Sequence, residues 1–491
     1  MYIWPFVSLV IFSPILGGLA MTMVGGDKSI IERNSKHTSL FTTFITFLFS
    51  LLLFFKVNPE TTSVQMEERI DILPNFFINY VVGVDNINIL FIVLTAFICF
   101  VITMFNFYYE SEKSKFFYIF LLLLEGTTIG AFASQNLMLF FLFFEATLIP
   151  LFMIIGLKAD QQEKENAFKY ALVSMFSAMI ILPAILIIVF RAGTGYLPEL
   201  STLKFVNSNT KLIWLLLFIG FAIRLPILPF QSWYLNILKS SNILVIIFVS
   251  SILSKLGIYA IFKINISLFP YISYGYSKII LFIAIISSLY ALLLSVKEKY
   301  IVKKIGCISM VCVNISLFSL FIVSSKSLIS GIFYSLTSSI FIVSLLVVYI
   351  IIETKEDELY LDKLHGYYYK MPILSYFHLF TLSSIIGIPF TTGFVSLMLL
   401  MTSTFEYSFV YGLYIILLLV VVSYIVMRMH SKVFWSKKDN SDQYILNIQS
   451  ILFIVFICLF VILIGIIPNT IINPIENIIW PLVSVFKEVG A

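Results

Sequence analysis

Apolar residues run through this chain in blocks of about twenty, separated mostly by short polar joins. The hydrocarbon core of a bilayer takes about 20 residues of helix to cross. Blocks of that order lie near residues 3–24, 38–56, 86–108, 115–133, 137–156, 167–190, 212–235, 241–262, 278–297, 305–324, 327–352, 373–402, 408–430 and 450–468. They predict an all-α polytopic membrane protein of about 14 transmembrane helices, a single membrane domain over 1–491 with no room for a soluble one. Past the last block, 469–491 sets Ile471, Ile475, Ile478, Ile479, Leu482 and Phe486 at roughly helical spacing, with Trp480 and Pro474 among them. That pattern suits a helix lying in the membrane interface. An ordered terminus without a role fits it as well.

Composition supports the same class. The chain is 60% hydrophobic and 12% charged, where soluble proteins are about 25% charged. No basic stretch precedes the first apolar run, so that run is expected to be a retained helix, not a cleaved signal. The four cysteines, Cys99, Cys307, Cys312 and Cys458, form no CxxC pair and read as small buried hydrophobes. The four histidines are scattered and predict no metal site. The abundance of Phe and Tyr, 50 and 26 residues, suggests an AT-rich genome such as an organelle's.

Orientation follows from the Lys and Arg count in alternate joins. The joins after helices 1, 3, 5 and so on hold 19, and the opposite set with the tail holds 9. Both termini are therefore expected on the outer side. The remaining three, Lys169, Arg224 and Lys255, lie inside apolar runs.

A charged side chain at the bilayer centre costs about 2.5–3.5 kcal/mol on insertion scales, so those that persist there are paired or functional. Glu145 stands in "LFFLFFEATLIP" of helix 5, and Glu125 in helix 4. Lys169 opens helix 6, Arg224 lies in helix 7, Lys255 in helix 8 and His378 in helix 12. Each can be a structural ion pair or can reach to the surface. Carboxylates and lysines along one axis are also what a proton relay needs. Pro226 and Pro229 closely follow Arg224, and Gly387, Pro389 and Gly393 interrupt helix 12. Proline removes a helical hydrogen bond, and a broken helix at membrane depth lines a polar cavity. Breaks five helices apart fit two inverted five-helix repeats, helices 4–8 (about 115–262) and 9–13 (about 278–430).

Seven segments, in order, resemble subunit 4 of respiratory NADH:ubiquinone oxidoreductase, an antiporter-like proton-channel subunit of complex I. They are "VVGVDNINILFIVLTAF" (81–97), "FFEATLIPLFMIIG" (143–156) with "AFKYALVSMFSA" (167–178), "FAIRLPILPFQSW" (221–233), "SKLGIYAIFK" (254–263), "VKKIGCISMV" (302–311), "IGIPFTTGFV" (386–395) and "IGIIPNTIINPI" (464–475). The resemblance implies a 14-helix fold with inverted repeats and breaks in helices 7 and 12. It implies a proton path in which Glu145, Lys255 and Lys169 match the family's helix 5, 8 and 6 residues.

The chain departs from that pattern elsewhere. Arg224 stands at the helix 7 lysine position, and Leu397 at the helix 12 glutamate position. Val313 and Ser338 align with the usual helix 10 and 11 histidines, and "QSWYLNILKSSN" lacks the histidines that follow the helix 7 break. Arginine keeps its proton at working pH, so Arg224 is expected as a charge partner of Glu145, not a relay. Glu125, His378 and Glu406 are alternative path residues.

The resemblance implies proton translocation coupled to NADH:ubiquinone electron transfer in the mitochondrial inner membrane, or in a bacterial plasma membrane. Expected partners are other membrane-arm subunits, chiefly neighbouring antiporter-like ones, and lipids, with no nucleic acid. No cofactor or metal is expected in this chain. NADH, FMN, iron–sulfur clusters and ubiquinone are expected in partner subunits. The alternatives are a non-pumping structural subunit, and a cation/proton antiporter or hydrogenase membrane subunit.

Overall fold

A computed structural model describes residues 5–73, 77–109, 114–156, 161–203, 209–240, 242–356, 358–436, 444 and 446–487 of the chain. The elements run α1 (Phe6–Thr22), α2 (Lys28–Lys56), β1 (Gln65–Leu73), β2 (Ile78–Val84), α3 (Asn88–Tyr109), α4 (Lys115–Ala133), α5 (Leu137–Ala146), α6 (Leu148–Gly156), α7 (Gln161–Ala192), α8 (Leu197–Thr202), α9 (Thr210–Ile223) and α10 (Ser232–Ser240). The next span passes through α11 (Ile243–Phe248), a π-helical turn (Val249–Leu253), α12 (Ser254–Ala260) and a second π-helical turn (Ile261–Ile266). Then come α13 (Pro270–Lys297), α14 (Ile301–Phe321), α15 (Ser325–Glu353), α16 (Tyr367–Lys370), α17 (Pro372–Ile386), α18 (Thr392–Tyr407), α19 (Phe409–Val433), α20 (Ile448–Ile466) and α21 (Asn469–Lys487).

Among the described residues, 11 helices are long and apolar enough to cross a membrane, and α1, α9 and α17 are shorter apolar helices. Each of the apolar blocks read from the sequence holds one of these helices. Three helices start six or more residues before their blocks: α2 at Lys28, α7 at Gln161 and α13 at Pro270. Hydropathy marks the stretch that lipid can cover. The backbone hydrogen-bond ladder continues into the polar flank.

Contacts group the chain into two compact units. The first comprises Met1–Ser241, Ile252–Tyr276 and Pro474–Gly490, and the second Asn242–Ser251 and Ser277–Asn473.

In the first unit the hydrophobic blocks did not foretell the antiparallel hairpin β1–β2, in which Gln65 pairs with Val84 and Arg69 with Val81. Its first strand, "QMEERIDIL", is too charged to read as a buried strand. The carboxylate of Glu68 accepts from the backbone N–H groups of Val7 at 2.8 Å and Ser8 at 3.1 Å. These are donors that the first turn of α1 leaves unpaired. The tail forms α21, with Ile475 and Ile479 fully buried and Trp480 exposed. Asn477 of that helix donates to the Pro59 carbonyl at 2.9 Å. Residues 488–491 of the expected tail lie outside the described residues.

In the second unit the apolar stretches of α14 and α15 are wholly buried, and the two helices pack along each other. A capping box between Ser324 and Ser327 starts α15. The hydroxyls of Ser309 and Ser339 donate to the carbonyls of Ser250 and Ser251, at 3.0 and 2.7 Å. They supply donors to carbonyls in the first π-helical turn, where the regular ladder is disturbed.

Candidate functional site: a glutamate–arginine pair at a helix break

Asn136 caps α5, its side-chain oxygen accepting from the N–H of Met138 at 2.9 Å and of Leu139 at 3.1 Å. The helix ends at Ala146, and α6 begins at Leu148 after a turn at Thr147. Glu145 therefore sits at an interruption within helix 5, not in the middle of a continuous one. Its side chain is 18% exposed, and its Oε2 accepts from Arg224 Nη2 at 2.8 Å. Arg224 is 3% exposed and also donates from Nη1 to the Tyr170 hydroxyl at 3.2 Å. Its guanidinium carbon lies 5.0 Å from the centroid of the Phe144 ring, a cation–π distance. The buried Nε of Arg224 and Oε1 of Glu145 have no hydrogen-bond partner among the described residues.

Arg224 occupies the C-cap of α9, and the chain unwinds after it. Pro226 and Pro229 fall in the turns before α10 starts at Ser232. An unwound segment frees carbonyls that hydrocarbon cannot satisfy. The indole N–H of Trp233 answers one, donating to the Ile223 carbonyl at 2.9 Å, and its ring lies 5.5 Å from that of Tyr170. The Leu225 side chain packs closely on α12 here: a Cβ on Gly257 would stand 2.6 Å from Leu225 Cδ2.

The other expected path residues of the first unit are distributed as follows. Lys255 is buried in α12, between the two π-helical turns. Glu125 is wholly buried in α4, and neither carboxylate oxygen has a hydrogen-bond partner among the described residues. Lys169 is exposed on α7. It is the adjacent Tyr170 that turns inward and meets Arg224.

The second unit has its own helix break. Gly387 ends α17 at φ +85°, its N–H donating to Ser383 and Ser384 carbonyls at 3.1 and 3.3 Å. Pro389 lies in the break, and Thr391 caps α18. A Cβ on Gly393 would stand 1.6 Å from the Ser384 carbonyl oxygen, so only glycine fits there. Leu397, at the expected glutamate position, is buried, and a Cβ on Gly387 would meet its Cδ1 at 2.8 Å. His378 is fully buried, its Nδ1 3.2 Å from Nδ1 of His430 and its Nε2 3.4 Å from the Tyr349 hydroxyl. Glu406 is exposed and pairs with Lys326. Val313 and Ser338 are buried on α14 and α15. Among the described residues no three His, Cys, Asp or Glu side chains come together to hold a metal ion.

Residues 134–426 match the profile of the NADH:quinone oxidoreductase/Mrp antiporter transmembrane family. The chain belongs to this family. Relatives extend the likeness along nearly the whole length. NADH-quinone oxidoreductase subunit M of Rickettsia prowazekii is 26% identical, over 97% of this chain and 99% of the relative. NADH-ubiquinone oxidoreductase chain 4 of Marchantia polymorpha is 28% identical, over 81% of this chain and 80% of the relative. The fold matches a chain of respiratory complex I from Thermus thermophilus, with a TM-score of 0.87 and 20% identity, covering 97% of this chain and 99% of that one. It also matches a chain of the Mrp complex from Dietzia sp. DQ12-45-1b, with a TM-score of 0.85 and 15% identity, each chain 99% covered. As a member of this family, the chain is an integral membrane protein.

Three polar residues of the first unit that make buried or partly buried contacts escaped sequence reasoning. Tyr170 was hidden by its neighbour Lys169, because an ionisable residue draws attention that a tyrosine does not. Asp85 and Lys263 lie at the ends of apolar runs and read as residues of the outer joins. In the structure they pair at 2.6 Å, with Asp85 6% and Lys263 20% exposed. Only the "VDN" of 84–86 hinted at this, since Asp85 starts α3: its Oδ1 accepts from the N–H groups of Ile87 at 2.9 Å and Asn88 at 2.7 Å.

Proposed function

We propose that this chain is a membrane-arm subunit of respiratory complex I that translocates protons as partner subunits pass electrons from NADH to quinone. The observation that carries this reading is the partly buried Glu145–Arg224 pair at the helix 7 break, in a family member similar end to end to subunit M. A buried carboxylate whose partner can move is a charge switch. When the arginine swings away, the carboxylate takes up a proton. When it returns, the proton is expelled towards the next site. Arg224 drives this by position, because it keeps its own proton. Lys255, buried in α12, is the next acceptor in the same unit. NADH oxidation and quinone reduction take place in partner subunits, as does binding of FMN, iron–sulfur clusters and ubiquinone.

Leu397 favours a second reading, a membrane-arm subunit that has stopped pumping and keeps Glu145–Arg224 as a structural pair. The likeness to an Mrp chain concerns the fold alone. Purification of the chain with its native partners tests membership. The assembly is expected to oxidise NADH with a quinone acceptor. An assembly that lacks this reaction and exchanges Na⁺ for H⁺ would refute the proposal.

A further inference from the structure

The helix 12 glutamate position is a buried leucine, and Glu406 is tied to Lys326 at the surface. A proton reaching Lys255 therefore needs another way out. The first unit holds a cavity of about 370 Å³ lined by Thr62, Ser63, Asp85, Ser201, Lys263 and Ser267, among others. Thr62, Ser63 and Ser201 are exposed, so the cavity opens to the surface. Its lining comes from the joins after helices 2, 6 and 8 and from α21, all in the set poor in Lys and Arg, hence outer.

A chain of polar groups leads to this cavity from the interior. Lys255, Tyr259 and Lys263 follow one another at intervals of four along the same span. Residues four apart in a helix share a face, and Lys263 itself lies within the second π-helical turn. Tyr259 is buried, and its hydroxyl donates to the Phe132 carbonyl at 3.2 Å. The Asn88 amide donates to that same carbonyl at 3.1 Å. Asn88 and Asp85 are cross-bonded, N–H of Asn88 to Asp85 Oδ1 at 2.7 Å and N–H of Asp85 to Asn88 Oδ1 at 2.8 Å. Asp85 Oδ2 then meets Lys263 Nζ at 2.6 Å on the cavity wall. Burial alone would raise the Asp85 carboxyl, but the Lys263 ammonium and the N–H groups of Asn88 and Ile87 hold it below the ordinary carboxylate value.

We propose that Asp85 and Lys263 form the outer proton port of this subunit, so that the route beginning at Glu145 ends in the water of this cavity. The Phe132 carbonyl accepts from both Tyr259 and Asn88, so it positions them and passes no proton itself. In the proposed step the Tyr259 hydroxyl turns from that carbonyl, gives its proton to the Asp85 carboxylate and takes one from the Lys255 ammonium, and the neutralised Asp85 releases Lys263. The lysine side chain, partly exposed, extends into the cavity. Its return to Asp85 expels the proton to water and restores the carboxylate–ammonium pair. The lysine acts as a fixed positive charge, so arginine can replace it. Asparagine cannot replace the aspartate.

This inference rests on the pumping reading, and its test separates the two. Protons translocated per electron are measured in proteoliposomes holding the whole complex, with Glu145→Gln as reference. Asp85→Asn is expected to lower the ratio to the Glu145→Gln level, and Lys263→Arg to keep the wild-type ratio. A wild-type ratio in Asp85→Asn beside a lowered one in Glu145→Gln would place the exit elsewhere and leave pumping intact. A ratio unchanged in both would overturn pumping as well. Should Asp85→Asn fail to assemble, Ser201→Cys serves instead. An impermeant cationic thiol reagent added from the outer side is expected to label it and lower the ratio. Absent labelling, or labelling without that fall, would overturn the port.

Discussion

A charge at membrane depth is retained where a second charge shares its site, and Arg224 does this for Glu145 at 2.8 Å. Replacing both members of such a pair by apolar groups is often neutral, while removing one strands the other. Arg224→Met is therefore expected to destabilise the assembled complex by about 3–5 kcal/mol. The double variant Glu145→Leu/Arg224→Met should recover most of that loss. Denaturation midpoints of the purified complexes check it, and a double variant no more stable than the single one would show that the pair is not the source. The pair itself was legible in the sequence, because an ionisable residue among phenylalanines demands a partner and one other run offered an arginine. Tyr170 was not legible: its role depends on which side of α7 faces the break, and Lys169 beside it is exposed instead.

At the scale of elements, the two helix breaks were readable from Pro226 and Pro229 in one and from Gly387, Pro389 and Gly393 in the other. The means of satisfying the unwound backbone were not. Trp233 donates to Ile223, and this side-chain bond spans ten residues. Trp233→Phe leaves that carbonyl unanswered and should cost about 1–3 kcal/mol, seen as a lower denaturation midpoint with the complex still formed. An unchanged midpoint would mean that water or a neighbouring group takes over. Gly393 offers no such latitude, since a Cβ there would overlap Ser384. The hairpin β1–β2 was missed because a strand with Glu67, Glu68, Arg69 and Asp71 carries no buried-strand pattern. It is held by Glu68 at the start of α1, a contact across about sixty residues.

At the scale of the molecule, fourteen apolar blocks and seven ordered motifs made the family legible, because membrane helices are written in hydropathy more plainly than any soluble fold. The path of a proton was less so. It turns on which buried groups face one another, and Asp85–Lys263 emerges only when the start of α3 meets the end of the span carrying Lys255. Leu397 removes the expected exit, yet Arg224 and Lys255 remain buried and Glu145 stays paired with Arg224. If they only braced the fold, an isosteric neutral residue at Glu145 would leave transport untouched. The measurement that decides this is the number of protons moved per electron by the reconstituted complex, wild type against Glu145→Gln. A lower ratio in the variant, with the complex assembled, is the result expected of a pumping subunit. An equal ratio would contradict it and leave Glu145 as a structural charge.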